Sequence, residues 1–451
     1  MSNLFPGPAR QETTGRYLVL LTGEERNASL EAIANATGVR TFAHSADFGG
    51  GAPPLSQFSS DESLVLDELG VAVVSLDPQQ VRSLMAIANQ PQTHIIVEPE
   101  RVVYAIQDPQ KPPFLPTYLE PNSATDSITV SVEYLKGYRD AIDSLIHKLA
   151  PADANPDLVD GMSGSAFANT SVTWGLQATK ANISRYSGLG IKVAVLDTGF
   201  DINHPDFVGR TVVGKSFIEG EEVNDGNGHG THCIGTACGS LAPATLPRYG
   251  VAYNAEIYAG KVLSNEGSGG DGSILAGIDW AIANGCQVIS MSLGSLALPG
   301  QPYSQIYEQV GRRSLDRGSL IIAAAGNDSW RQFGIIVPVS HPANCPSIMA
   351  VGALDSSLRI ARFSNGGIKI GTGQIDLAAP GVDVYSSWPL PTRYQTISGT
   401  SMATPHVAGI AALYAEATGA RSNTLWTQLI QNAQRLSLPS RDVGSGLAQA
   451  I

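Results

Sequence analysis

Asp197 closes the run IKVAVLDTG, a carboxylate set directly after residues of strand-like, apolar character. Taken alone it also reads as a turn or cap residue, since Asp before Thr-Gly favours turns. His229 sits in NDGNGHGTHCIGTACG, where flanking glycines let backbone approach closely and the small residues that follow permit a tightly packed helix. His232, three residues on, shares its face. A zinc site of the HExxH kind needs a Glu between the pair and a third ligand, and neither is evident. Ser401 lies in ISGTSMATPHVAGIAALYAEATG, a Gly-rich turn entering a helix. A serine there is commonly a cap, but Thr400, Ser401 and Thr404 supply more hydroxyls than capping needs. The arrangement sets a hydroxyl and its backbone N–H at the positive end of a helix, where a developing oxyanion is stabilised. Asn327 ends SLIIAAAGN, and its amide can donate to the same oxyanion; its plainer reading is a turn Asn after Gly.

Such residues need elements that bring them together. From about Trp174 to the end, the apolar runs IKVAVL, AEIYAGKVL, CQVISMSL and SLIIAAAG alternate with helical stretches, the pattern of a parallel sheet covered by helices on both faces. Active sites of open parallel sheets gather at the carboxyl ends of strands. The orienting carboxylate, base, nucleophile and oxyanion donor all end strands or begin helices of this one α/β unit. Their order Asp, His, Ser is one of three convergent solutions to acyl transfer.

The expected organisation is a small α+β domain over residues 16–107, a linker over 108–167 and an α/β domain over 168–451. The first unit alternates YLVLL, NASLEAIANATG, LGVAVVSL, DPQQVRSLMAIANQ and THIIVEPERVVYAI, with Asp77 before Pro78 marking a helix start. The linker begins rich in Pro, Ser, Thr and Asp, and spacings of three and four among Val132, Leu135, Tyr138, Ile142, Leu145, Ile146 and Leu149 predict one amphipathic helix over 131–150.

Composition removes several classes of function. A chain of 451 residues is too long for one ordinary domain, and 15% charged residues with 43% hydrophobics describe a compact globular protein. Its net charge of -12 leaves no basic footprint for phosphate, so nucleic acid is not an expected partner. No uninterrupted apolar run reaches the roughly 18 residues that span a bilayer, so no membrane attachment is expected. The start MSNLFPGPARQETTGRYLVLL lacks a basic stretch leading into an apolar core, which predicts a cytoplasmic protein, with secretion as the alternative. Cys233, Cys238, Cys286 and Cys345 form no CxxC pair and read as small buried residues.

The segments VAVLDTGFDINHPDF, NGHGTHCIGT, VISMSLG, AAAGN and SGTSMATPHVAG, in that order over roughly residues 168 to 451, resemble the subtilisin family of serine peptidases. The resemblance implies a serine endopeptidase working through an acyl-enzyme without a catalytic cofactor. Ser401 would be the nucleophile, His229 the general base and then acid, Asp197 the group that orients the imidazole, and Asn327 with the Ser401 N–H the oxyanion hole. It also implies that Gly267, Ser268, Gly269 and Ser292, Leu293, Gly294 are two edge segments between which a polypeptide substrate lies as an added strand. Glu266, Asp271 and Asp328 fall near that expected cleft, either tilting it toward basic substrate residues or standing as solvated surface acids. Asp206 in HPDF matches a family calcium ligand, although the companion loop SLAPATLPRYG lacks the expected carboxamide and carries Pro243 and Pro247. Cys233 is similar to a cysteine that some members keep beneath the active site, and is expected to be a buried spectator. Residues 1–107 resemble the family's inhibitory propeptide in element order, implying a zymogen. Some 65 residues separate Ile106 from Trp174, where the family pattern runs almost directly on. A non-catalytic, peptide-binding relative and a metallopeptidase using His229 and His232 are the competing readings.

Overall fold

The structure, a computed structural model, describes residues 12–22, 26–49, 51–58, 62–90, 95–106, 167, 170–367 and 373–451. The expected helix over 131–150 lies outside the described residues.

The N-terminal unit runs β1 (Thr13–Leu21), α1 (Arg26–Thr37), β2 (Thr41–His44), β3 (Glu62–Leu66), β4 (Val71–Ser75), α2 (Pro78–Ala88) and β5 (Ile95–Ala105). Strands β5, β1, β4 and β3 pair antiparallel in that order, and β2 joins β3 in parallel. The helix start expected at Asp77 is a full capping box: the Asp77 carboxylate accepts from Gln79 N at 2.7 Å and Gln80 N at 2.9 Å, while Asp77 N donates to Gln80 Oε1 at 2.8 Å. The two short strands TFAH and ESLVL are not foreseen, because runs of four and five residues carry too little periodicity to separate strand from loop without their partners.

The larger unit contributes α3 (Trp174–Ala178), β6 (Lys192–Asp197), β7 (Val212–Ser216), α4 (His229–Cys238), β8 (Glu256–Lys261), β9 (Ser268–Gly270), α5 (Asp271–Ala283), β10 (Val288–Met291), β11 (Leu293–Gly294), α6 (Gln305–Asp316), β12 (Leu320–Ala324), β13 (Met349–Leu354), β14 (Leu377–Pro380), β15 (Val384–Ser387), β16 (Tyr394–Ile397), α7 (Thr400–Thr418), α8 (Ser422–Gln431) and α9 (Ser440–Val443). Seven strands form one parallel sheet in the order β14-β13-β12-β10-β6-β8-β7, as the sequence predicts.

Alternation along a strand sends neighbours to opposite faces. In β6, Val193 and Val195 enter the core built with Ile234 and Ala237 of α4 and Val407 and Ala411 of α7, whereas Ala194 and Leu196 enter the core of α5 and α6. The same rule works in β1. Leu18 and Leu20 join the α5 and α6 core, while Val19 and Leu21 pack with Leu30, Ile33 and Leu84 of α1 and α2. The N-terminal sheet therefore lies on two helices of the larger unit through a shared apolar core.

Two carboxylates of β5 cap those helices. Glu98 accepts from Ser304 Oγ at 2.7 Å and Gln305 N at 2.8 Å at the start of α6. Glu100, wholly buried, accepts from Gly272 N at 2.8 Å at the start of α5 and from Arg16 Nε at 2.6 Å. Removing it leaves the Gly272 N–H without its acceptor and takes the partner from Arg16 and from the Thr14 hydroxyl, so Glu100→Ala should lower stability by about 1–3 kcal/mol. Thermal unfolding of the full chain measures this, and an unchanged melting temperature would show that the cap contributes nothing.

Candidate active site

Pairing of β6 with β8 runs to the last residue, Asp197 opposite Lys261, so the carboxylate emerges where the sheet ends. Helix α4 starts on His229 after Gly228, whose φ of 108° suits glycine. His229 Nδ1 lies 2.7 Å from Asp197 Oδ1, with the two residues 0% and 1% exposed. Burial pulls the His229 pKa down, but the Asp197 carboxylate outweighs it and holds the imidazole well above its ordinary value.

Ser401 sits in the first turn of α7. Pro405, four residues on, has no N–H to offer the Ser401 carbonyl. That carbonyl instead accepts from Ser292 Oγ at 2.7 Å, with the Cys233 thiol 3.5 Å away. The Ser401 hydroxyl is 2.8 Å from the carbonyl oxygen of Ile106 and 3.1 Å from that of Ser292. His229 Nε2 is buried with no hydrogen-bond partner, so Ser401 and His229 share a site without the direct hydrogen bond between them. Asn327 is oriented by Thr400, whose N and Oγ1 both donate to Asn327 Oδ1 at 2.9 Å, and its Nδ2 lies 3.3 Å from the Ile106 oxygen. Gly399 keeps this space open: a Cβ there would stand 2.9 Å from Asn327 Nδ2.

The six edge residues flank the chain's own β5. Leu293 and Gly294 pair with Ala105 and Tyr104, Ser268 and Gly269 pair with Tyr104 and Val103, and the Gly267 and Ser292 carbonyls accept from Ala105 N at 2.8 Å and Ile106 N at 3.4 Å. Ile106 thus ends an added strand with its carbonyl between Ser401 and Asn327. Nothing in its residue type signals this; the only sequence cue is that THIIVEPERVVYAI stops where the Pro-rich stretch begins.

A model of the subtilase family matches residues 188–446. The chain belongs to that family. It is 42% identical over 285 residues to Subtilisin Savinase of Lederbergia lenta, covering 62% of this chain and 97% of that protein. Subtilisin DY of Bacillus licheniformis is 42% identical over 239 residues, 53% of this chain and 81% of its own length. An alkaline protease of Alkalihalobacillus alcalophilus is 43% identical over 285 residues, 62% and 69% of the two chains. The protein is a serine endopeptidase acting on polypeptides, and a subtilase needs no cofactor for catalysis. The cytoplasmic expectation is corrected: these relatives are secreted bacterial subtilisins, and where a sequence begins does not decide its compartment. Among the described residues no helix is long and apolar enough to cross a membrane.

Other expectations change in detail. Glu266 is exposed, Asp271 is buried and Asp328 half-buried, and the last two already have partners, with the Arg101 guanidinium 3.6 Å from Asp271. Asp271 meets His341 Nε2 at 3.0 Å and Arg101 N at 3.0 Å, and Asp328 accepts from Asn365 Nδ2 at 2.9 Å and Ser340 Oγ at 3.3 Å. His232 Nε2 is 3.0 Å from the Val384 carbonyl, and among the described residues the one group of possible metal donors here, Asp197, His229 and Cys233, does not include it, which leaves the two-histidine metal site unsupported. Cys233 is buried with its thiol pKa raised by that burial, which leaves it protonated and non-nucleophilic. All four cysteines are buried and free.

Asp206 does not fit the calcium site that the family resemblance implies. Its oxygens are taken by donors: Ala244 N at 2.7 Å and Tyr394 Oη at 3.2 Å on Oδ1, and Tyr249 Oη at 2.5 Å on Oδ2. Hydroxyls and an amide turned inward on the carboxylate exclude the all-oxygen shell that calcium requires. Calcium should therefore shift the melting temperature of the wild type and of Asp206→Asn equally. A shift lost in the variant would put a cation on Asp206.

General base catalysis requires neutral imidazole. A raised His229 pKa means that the base is lost as pH falls through that value and is restored above it. The acid limb of kcat/KM should consequently lie above the ordinary histidine value near 6.5, which a pH–rate profile on a peptide substrate measures directly.

Proposed function

We propose that Ser401 attacks the substrate carbonyl, that His229 takes its proton and returns it to the leaving amine, and that Asp197 orients the imidazole and stabilises its charge. Asn327 Nδ2 and the Ser401 N–H receive the oxyanion. The substrate lies extended between Gly267–Gly269 and Ser292–Gly294. One observation carries this reading: a peptide carbonyl, that of Ile106, stands 2.8 Å from the Ser401 hydroxyl and 3.3 Å from Asn327 Nδ2 at the end of a strand paired with both edges. His229 Nε2, buried and unpaired, is free to accept the proton that Ser401 gives up.

The same carbonyl supports a zymogen. Residues up to Ile106 act as a propeptide-like domain whose last strand fills the cleft, and the bond after Ile106 is the one that Ser401 cuts in maturation. That bond carries the carbonyl next to Ser401, which supports placing the long stretch to Trp174 on the leaving side.

Mass spectrometry and peptide hydrolysis test both statements. Purified wild type should show a new N-terminus at Gln107 and Ser401→Ala only the intact chain, folded and without hydrolysis. Undiminished turnover in Ser401→Ala would overturn the triad; processing of the wild type at another bond would overturn the maturation site alone. Asn327→Ala should lower kcat by about 10²–10³-fold, a scale taken from subtilisin itself.

A further inference from the structure

We infer that Asp225 is a positioning residue for the reaction: its carboxylate ties the turn carrying Asp197 to the turn and helix start carrying His229. The inference rests on the triad proposed above. Asp225 is 2% exposed and accepts five hydrogen bonds. Oδ1 takes Thr198 Oγ1 at 2.9 Å, Gly228 N at 2.8 Å and Asn227 N at 3.1 Å; Oδ2 takes Thr231 N at 2.8 Å and Thr231 Oγ1 at 2.7 Å. Thr198 follows Asp197, and its N–H donates to Asp197 Oδ1 at 2.7 Å. Gly228, Gly230 and Thr231 surround His229. The Thr198 hydroxyl closes the link by accepting Gly230 N at 2.9 Å.

Backbone contact makes the link short. A Cβ on Gly230 would stand 2.2 Å from the Gly199 carbonyl, and one on Gly199 would stand 2.3 Å from the Val223 carbonyl. The strand end, the loop before α4 and the first turn of α4 are thus in direct apposition, and the Asp225 carboxylate is bonded to all three. Among the described residues no hydrogen bond joins it to β5 or Ile106, so it acts through Asp197 and His229 and not on substrate. A buried carboxylate with five donors tolerates no amide, because an Asn would turn an NH₂ toward N–H and O–H groups.

A positioning fault should appear in turnover and not in substrate binding. Full-length Asp225→Asn and Thr198→Val are compared with wild type for peptide hydrolysis, pH profile, fluorophosphonate labelling and melting temperature. Thr198→Val keeps the Asp225 charge and removes only the hydroxyl bridge. Misplacement near an ångström costs about 10²-fold, so kcat of Asp225→Asn should fall by about 10–100-fold, with KM within about threefold. The acid limb should move to lower pH in both variants, because His229 loses part of its hold on Asp197 and, in Asp225→Asn, a nearby negative charge as well, while its titratable neighbours Cys233 and His232 stay uncharged. Thr198→Val should show the smaller change in the same direction. Two results would overturn the inference: folded variants with wild-type kcat and acid limb, or activity lost only in proportion to the unfolded fraction. Wild type that fails to label at Ser401 would instead remove the triad on which the inference stands.

Discussion

The hydrogen bond between Asp197 and His229 constrains everything around it, because it is made almost entirely out of water. Burying a carboxylate costs several kcal/mol unless its partners are placed closely, and removing one partner leaves an uncompensated charge. The two residues also come from different elements, a strand end and a helix start, separated by 32 positions. A parallel sheet solves half of this problem by delivering Asp197 at the edge where β6 and β8 end together. The other half is solved by tight turns. Gly199 and Gly230 let the chain come within backbone contact, where any side chain would push α4 away from the strand end, and a Cβ on Gly228 would run into the Trp388 ring.

The second constraint is that of unpaired edges. Strands β9 and β11 are three and two residues long, too short to be elements in their own right, and each exists because β5 supplies its hydrogen bonds. Exposed edges of this kind recruit extended chain. The edges proposed to read substrate main chain are the ones that the N-terminal domain occupies, and the Ile106 carbonyl is carried to Ser401 by that register. Under that proposal, recognition and occlusion would use the same bonds.

Much of this was legible in the residues. The apolar runs of the parallel sheet, the strand-end positions of Asp197 and Asn327, the Gly-rich helix starts at His229 and Ser401, and the Asp77 cap are local patterns, and local patterns survive in sequence. What depends on distant partners did not. Strands β2 and β3 are visible only through pairing. Asp271 and Asp328 read as surface acids until Arg101, His341 and Asn365, from distant parts of the chain, close over them. Asp206 carries a calcium ligand's motif, but Tyr249 and Tyr394, 43 and 188 residues away, turn it into an acceptor of hydroxyls. Compartment is not written in a fold at all.

The N-terminal domain is held in three physically separate ways: the strand pairs of β5, the helix caps from Glu98 and Glu100, and the apolar core in which Leu18, Leu20 and Val73 meet Ile274 and Ile306. Hydrolysis after Ile106 would break none of them, because the cut lies beyond the last paired residue. The new carboxylate would remain where the carbonyl stood, next to Ser401 and Asn327. Cutting and opening are therefore different events with different energetics. The first needs one correctly placed peptide bond, whereas the second must expose apolar surface on both partners at a cost proportional to its area. On the proposed maturation, the enzyme would stay covered by its own product until the domain is itself unfolded or digested.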